Sequence, residues 1–396
     1  MDTIPIIVFC LRDIAGGSHN FWQNLLEEPA FNHRFKVDVI AEGSANTDRA
    51  RRRIHRLVEK FCTYPPIAPR TFARRIRDRV GLRERCSKTD ALRKQISQRS
   101  DKPLVWFILD GFLSIGSCGG PIELCKEQNI PYYLIVQHVH DLEIFPSEAF
   151  RDWALEKFLS AKRVVFVSNK NFKSAELSLG AKLPNAVLGM NGLPRKVFDR
   201  AYQIGLASPP QMNKMARILN IARFSIDYKR QDLLLRAVGR NSRLRELCHL
   251  RFVGGSGEHR WMLESMSKYF GLGSNQVEFV DATDDPFKLM SSADLFALPS
   301  ASEGMAFAMV EAAASCRPLL ATDVAGASEL VIEGDTGYLA PAPTESAVEG
   351  ALLRAIDDRR NWPARGKKAF EVALSRHCLA DYVPTLAELH RKDIDV

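Results

Sequence analysis

Short apolar runs alternate with longer stretches of helical spacing along most of the chain. One series comprises Ile4 to Leu11, Lys36 to Ala41, Leu104 to Leu109, Tyr132 to Gln137, Arg163 to Val167 and Ala186 to Met190. A second comprises Ala216 to Ala222, His249 to Val253, Val277 to Val280, Leu295 to Leu298 and Pro318 to Thr322. Continuous apolar runs of this length suit strands buried on both faces, which is the environment created by helices on either side of a parallel sheet. The pattern therefore predicts an α/β protein with two doubly wound parallel sheets. Asn191-Gly192-Leu193-Pro194 ends the sixth run and Ser208-Pro209-Pro210 has linker character, which places the junction between Asn191 and Asn213. The expected units are a first domain over 1–195, a second over 196–375, and a closing helix over 376–396 that can cross back to the first.

From Asn46 to Ser100 the pattern turns helical and basic, broken at Tyr64-Pro65-Pro66 and at Pro69. It reads as a helical insert over about 46–102. Arg70 to Arg85 sets Phe72, Ile76, Val80 and Leu82 at helix-like intervals among arginines. Charge sharpens this picture: between Arg49 and Lys102, 18 Lys and Arg face five acids, a balance of +13 in a chain of net +8. Such a block attracts phospholipid headgroups, a phosphorylated acceptor or nucleic acid, the last being the least favoured partner. The apolar stripe serves equally for lying on an anionic membrane or for packing on the domain.

A length of 396 residues with 46% apolar composition supports more than one core. No apolar run reaches the roughly 18 residues that cross a bilayer, and Ile4 to Cys10 lacks both a basic leader and a small-residue cleavage site. The expected location is the cytoplasm, at the inner membrane surface if the basic block docks there. The eight cysteines form no CxxC pair, and Cys118 and Cys125 lack histidine partners, so reduced thiols are expected, without a metal site or a disulfide framework.

The stretch from Leu298 to Ala314 carries the most chemistry. A strand ends at Leu298, a Pro299-Ser300 turn follows, and good helix formers run on after Gly304. A helix starting there opens at the carboxyl end of a strand, where open α/β sheets bind ligands and where free backbone N–H groups suit a diphosphate. Glu303 then accepts hydrogen bonds from sugar hydroxyls, and Glu311 from a ribose diol. The plain alternatives are a carboxylate steadying a helix N-terminus and an exposed helix acid.

Glu303 and Glu311, separated by seven residues after a Pro-Ser turn, resemble the EX7E signature of the retaining family 4 glycosyltransferases, which have the GT-B fold of two facing Rossmann-like domains. Leu219-Asn220-Ile221-Ala222-Arg223-Phe224 and Lys229-Arg230-Gln231-Asp232 are similar to the strand, turn and helix that open that family's donor domain. The resemblance implies that Arg223 and Lys229 grip the donor diphosphate, a role for which a forked guanidinium and a compact ammonium are suited. Without it, both would read as surface ion-pair partners. Phe252-Val253-Gly254-Gly255 is similar to the family's glycine-rich turn, Gly16-Gly17 looks like its loop beneath the phosphates, and Val324 to Val331, with Glu329 shaping the pocket, and Asp335 to Leu339 resemble its closing loops.

His140-Asp141 looks like the His-Asp that family members set against the transferred sugar, with His138 the second choice. A metal pair at His-x-His spacing lacks a third ligand. Gly304-Met305-Ala306-Phe307 departs from the family's usual sequence after the first glutamate, although its backbone stands where the donor is expected.

The resemblance implies a retaining transfer from a nucleotide-sugar to a hydroxyl of a glycan, lipid-linked or other acceptor. No cofactor and no metal are expected, since Arg223, Lys229 and the helix start can stabilise the departing diphosphate. Acceptor identity does not carry over. A nucleotide-sugar epimerase of the same fold, and a non-catalytic relic that binds anionic polymers, are the other readings.

Overall fold

A computed structural model describes residues 3–10, 17–64, 88–255, 259–283 and 285–394. Two all-parallel sheets organise the chain. The first has the order β3-β2-β1-β4-β5-β6-β7, with β1 Ile4–Cys10, β2 Phe35–Glu42, β3 Lys60–Tyr64, β4 Leu104–Leu109, β5 Tyr132–Val136, β6 Arg163–Phe166 and β7 Ala186–Leu188. The second has the order β10-β9-β8-β11-β12-β13, with β8 Ala216–Ile221, β9 Cys248–Gly254, β10 Val277–Asp281, β11 Leu295–Leu298, β12 Leu319–Thr322 and β13 Gly337–Ala340. Every residue of β4, β5, β11 and β12 is buried, because helices cover both faces. Strand order reverses between β1 and β4 in the first sheet and between β8 and β11 in the second. A crevice opens at the carboxyl ends of those strands, and the loops that follow them line it.

Two elements differ from the expectation. Lys60–Tyr64, inside the stretch read as helical, is a strand paired with β2. It lies at the sheet edge and only Tyr64 is fully buried, so its side chains do not form an apolar run. Gly337–Ala340, read as a closing turn, is the edge strand beside β12. The insert is thus helix Ala45–Ile54, β3 and helix Lys88–Ser97 where it is described. The Arg70 to Arg85 stretch, Gly16, and Ser256 to Glu258 lie outside the described residues.

The chain passes between domains twice, and the passages touch: Leu193 bridges Cys378 in parallel, with the Leu193 N–H donating to the His377 carbonyl and the Leu379 N–H to the Leu193 carbonyl. Helix Arg195–Ala207 already belongs to the second domain, since the buried Arg317 guanidinium donates to the Gly205 and Ser208 carbonyls near its end. The last helix, Leu379–Ile394, returns to the first sheet. There Arg163 forks onto Asp393 at 2.8 and 2.9 Å, and the Tyr133 hydroxyl donates to the same carboxylate at 2.5 Å. His390, fully buried, accepts from the Trp106 indole N–H at 3.0 Å through Nε2 and donates from Nδ1 to the Leu386 carbonyl at 2.7 Å. An indole is only a donor, so a proton on Nε2 would face another proton.

Burial lowers the pKa of His390 to about 3 and that of His377 to about 4. Both values lie below the roughly 6.5 of an unfolded histidine, so the unfolded chain takes up protons that the fold refuses. Stability is therefore full above that value and falls as pH drops from about 6.5 towards 4, by about 2 kcal/mol per histidine near pH 4.5. Urea midpoints measured from pH 7 to 4.5 should decline, and His390→Leu should remove roughly half of the decline that both histidines cause. A wild-type midpoint flat across this range would refute the buried, neutral state.

Candidate active site

The site is assembled by the loops that follow β8 and β11 in the second domain and β5 in the first. After β8 the chain runs through Arg223 into the short helix Ile226–Lys229, whose entry is fixed by the Ile226 N–H donating to His259 Nδ1 at 3.0 Å. Arg230 then takes a left-handed φ of 47°, which breaks the helical run and lets helix Gln231–Arg240 leave in a new direction. The break leaves Lys229 at the end of its own helix. Its ammonium reaches Glu303, Nζ to Oε1, at 2.6 Å, and the buried Ser300 hydroxyl donates to the same Oε1 at 2.6 Å. Ser300 is itself held by Thr322, whose hydroxyl donates to its carbonyl at 2.5 Å. The Ala301 N–H donates to the Tyr228 carbonyl at 2.7 Å and so joins the two loops directly.

From the first domain, His138 and His140 cross the cleft. His138 Nε2 lies 2.7 Å and His140 Nδ1 3.2 Å from the Ser302 hydroxyl, and the two rings stand edge to face at 4.6 Å. His140 also lies 5.9 Å from the Tyr228 ring. Burial, then the neighbouring His140 charge, lowers the pKa of His138 to about 4; Glu303 raises it and Lys229 adds to the lowering. His138 is thus neutral near pH 7. Its loop is braced from behind, where Glu143 accepts from the His140 backbone N–H at 2.9 Å and Asn171 donates to the Val139 carbonyl at 2.9 Å.

Residues 216–358 match the family model described as glycosyl transferases group 1. The second domain is a group 1 glycosyl transferase domain. The chain is 30% identical over 217 residues to the O-antigen biosynthesis glycosyltransferase WbnH of Escherichia coli, a match that spans 54% of this chain and 57% of that relative, little more than half of either. Anabaena Alr3699/HepE in complex with UDP and glucose is similar in structure at a TM-score of 0.71, with 16% identity over 97% of this chain and 98% of that one. A glycosyltransferase from Rickettsia africae ESF-5 is similar at 0.76, with 13% identity over 100% and 99%. The fold is GT-B, two facing Rossmann-like domains.

The group 1 domain brings Lys229 and Glu303 together, and the first domain sets both histidines against the residue before Glu303. Arg223 is exposed on the β8 loop, its carbonyl accepting from Gln231 Nε2 at 2.8 Å. Glu311 is half-buried in helix Phe307–Ala314. That helix starts at Phe307, not after Gly304, so Glu303 precedes it and is held by Lys229 and Ser300. The Met305 and Phe307 side chains are buried in the core, with Ala306 packed beside them.

Gly304 and Gly254 also have a packing role. A Cβ on Gly304 would stand 1.9 Å from the Gln137 carbonyl of the other domain, and one on Gly254 would stand 2.4 Å from the Ala222 carbonyl of the neighbouring strand end. Both glycines admit a protein carbonyl that a side chain at the same position would meet. Gly17 opens helix Gly17–Glu27. Glu329 reaches the first domain, accepting from the Asn169 N–H at 2.8 Å. Ser300, Ser302 and Tyr228 were not legible in the sequence, because a hydroxyl in a loop gives no sign of a partner in the other domain.

Among the described residues, no three His, Cys, Asp or Glu side chains group as metal ligands, and no helix is long and apolar enough to cross a membrane.

Proposed function

We propose that this chain is a retaining glycosyltransferase of the family 4 type, moving a sugar from a nucleotide-sugar held by the second domain to an acceptor hydroxyl presented by the first. One observation carries the reading: Lys229 from the β8 loop and Glu303 from the β11 loop meet at 2.6 Å at the strand-order reversal, directly beneath two histidines of the facing domain. A diphosphate entering there gains Lys229 and Arg223 as cationic partners, and Glu303, released by Lys229, accepts from sugar hydroxyls. Glu311 accepts from the ribose, and the backbone of Gly304 to Phe307 lies along the donor.

Attack of the acceptor on the same face as the departing diphosphate retains configuration, the acceptor proton passing to a diphosphate oxygen as that bond breaks. Cationic side chains stabilise the leaving group without a bound metal. Domain contact excludes water and limits donor hydrolysis. The O-antigen role of WbnH and the UDP and glucose bound by Alr3699/HepE support a UDP-sugar donor and a glycan or lipid-linked acceptor. The basic block within the sequence of the acceptor domain suits an anionic membrane or acceptor, at the inner face of the cytoplasmic membrane.

A thermal-shift screen of UDP-, GDP- and ADP-sugars tests the reading, since a ligand at a hundredfold excess over its dissociation constant stabilises by about 2.7 kcal/mol. The stabilising donor, labelled in its sugar and supplied with glycan and lipid-linked acceptors, should yield an α- or β-glycoside of the donor's own configuration, with EDTA leaving the rate unchanged. No stabilisation by any donor would refute the assignment, and an isomerised sugar nucleotide formed without acceptor would replace it with epimerisation.

A further inference from the structure

Two imidazoles from one domain converge on a single hydroxyl from the other, and that hydroxyl has only one proton. When Ser302 donates to one ring it can only accept from the other, so the two tautomers are then coupled. The distances choose between the arrangements. The shorter 2.7 Å contact to His138 suits the hydroxyl donating to a ring lone pair, and the longer 3.2 Å contact to His140 suits a ring N–H donating to the hydroxyl oxygen.

We propose that Ser302 is a positioning residue that holds His140 as its Nδ1–H tautomer, so that His140 Nε2 meets the substrates as a hydrogen-bond acceptor only while the two domains are together. His138 is the anchor of the pair: it stays neutral, and its Nε2 lone pair takes the Ser302 proton. That leaves the Ser302 lone pairs to receive His140 Nδ1–H. His140 Nε2 then faces away from Ser302 and, among the described residues, makes no hydrogen bond.

An acceptor nitrogen in that place suits a sugar or acceptor hydroxyl that must donate, in the same way that an oxygen partner on one ring nitrogen fixes the chemistry of the other. Ser302 stands next to Glu303, so one loop sets the carboxylate and the imidazole together, and separation of the domains releases the tautomer. This role rests on the transferase reading, but the tautomer itself can be measured without activity.

The test is long-range 1H–15N correlation at pH 7.5 on full-length protein labelled at histidine, with His138 and His140 assigned by single substitution. Wild-type and Ser302→Thr should both show the Nδ1–H form of His140, and Ser302→Ala should move it to the Nε2–H form or a mixture. In transfer assays Ser302→Ala should lower kcat about 10- to 100-fold with donor KM within about threefold, and Ser302→Thr should recover most of the loss. An unchanged His140 tautomer in Ser302→Ala would overturn the proposal, as would Ser302→Thr failing as badly as Ser302→Ala. If instead the tautomer shifts as expected and wild-type protein transfers no sugar, the transferase reading fails and the positioning role stands.

Discussion

Glu303→Gln should lower the transfer rate by about 10² to 10³ while leaving affinity for the free nucleoside diphosphate unchanged or slightly raised. Glu303 and the diphosphate compete for the same ammonium, since Lys229 lies 2.6 Å from the carboxylate. Removing the negative charge frees Lys229, so diphosphate binding loses nothing. The sugar hydroxyls, however, exchange a charged acceptor for a neutral amide whose second position is a donor, and loss of one preorganised group of this kind costs that much. Lys229→Ala should act with the opposite balance. It weakens sugar nucleotide and free diphosphate alike, and leaves Glu303 with the Ser300 hydroxyl and an uncompensated charge. Calorimetric titration of both variants with nucleoside diphosphate, beside initial rates of transfer, separates the cases. A tenfold loss of diphosphate affinity in Glu303→Gln, or undiminished transfer, would take Glu303 out of the sugar site.

The parts of this molecule that could be read from sequence are those whose cause is local. β4, buried on both faces, must be an unbroken apolar run, and it is one. β3 and β13 lie at sheet edges, and their residues answer to different demands. Lys60 and Thr63 face solvent, while Gly337 is glycine because a Cβ would stand 1.9 Å from the Leu319 carbonyl, so a strand carries the signature of a turn. The Lys229–Glu303 pair spans 74 positions, and only the resemblance to a known signature joined its halves. His138 and Ser302, 164 positions apart in facing domains, had no such link. Gly254 and Gly304 show a subtler limit. The sequence carries the need for space but not the identity of what fills it, and in both cases that is a carbonyl of the protein.

Gly304→Ala should cost about a hundredfold in transfer while the melting temperature stays within a few degrees of wild type. The added Cβ would stand 1.9 Å from the Gln137 carbonyl and 3.0 Å from Val167, both in the first domain. A backbone carbonyl at the end of a buried strand has no rotamer into which to retreat, so the strain is relieved by moving the domains apart by roughly an ångström. That shift pulls Ser302 from His138 and His140, and the Met305 carbonyl from the Asn191 amide, now at 2.9 Å. A misplacement of this size costs about 10² in rate when geometry carries the reaction. The residues proposed to hold the donor, Arg223, Lys229, Glu303 and Glu311, lie in one domain and move as one body, so donor affinity in the open state should survive. Gly337→Ala provides the contrast, since its Cβ would meet the Leu319 carbonyl at the same 1.9 Å but between two strands of one sheet. No rigid motion relieves that clash, and the cost falls on stability. Gly304→Ala melting as low as Gly337→Ala, or transferring at the wild-type rate, would show that closure does not depend on the bare Cα at position 304.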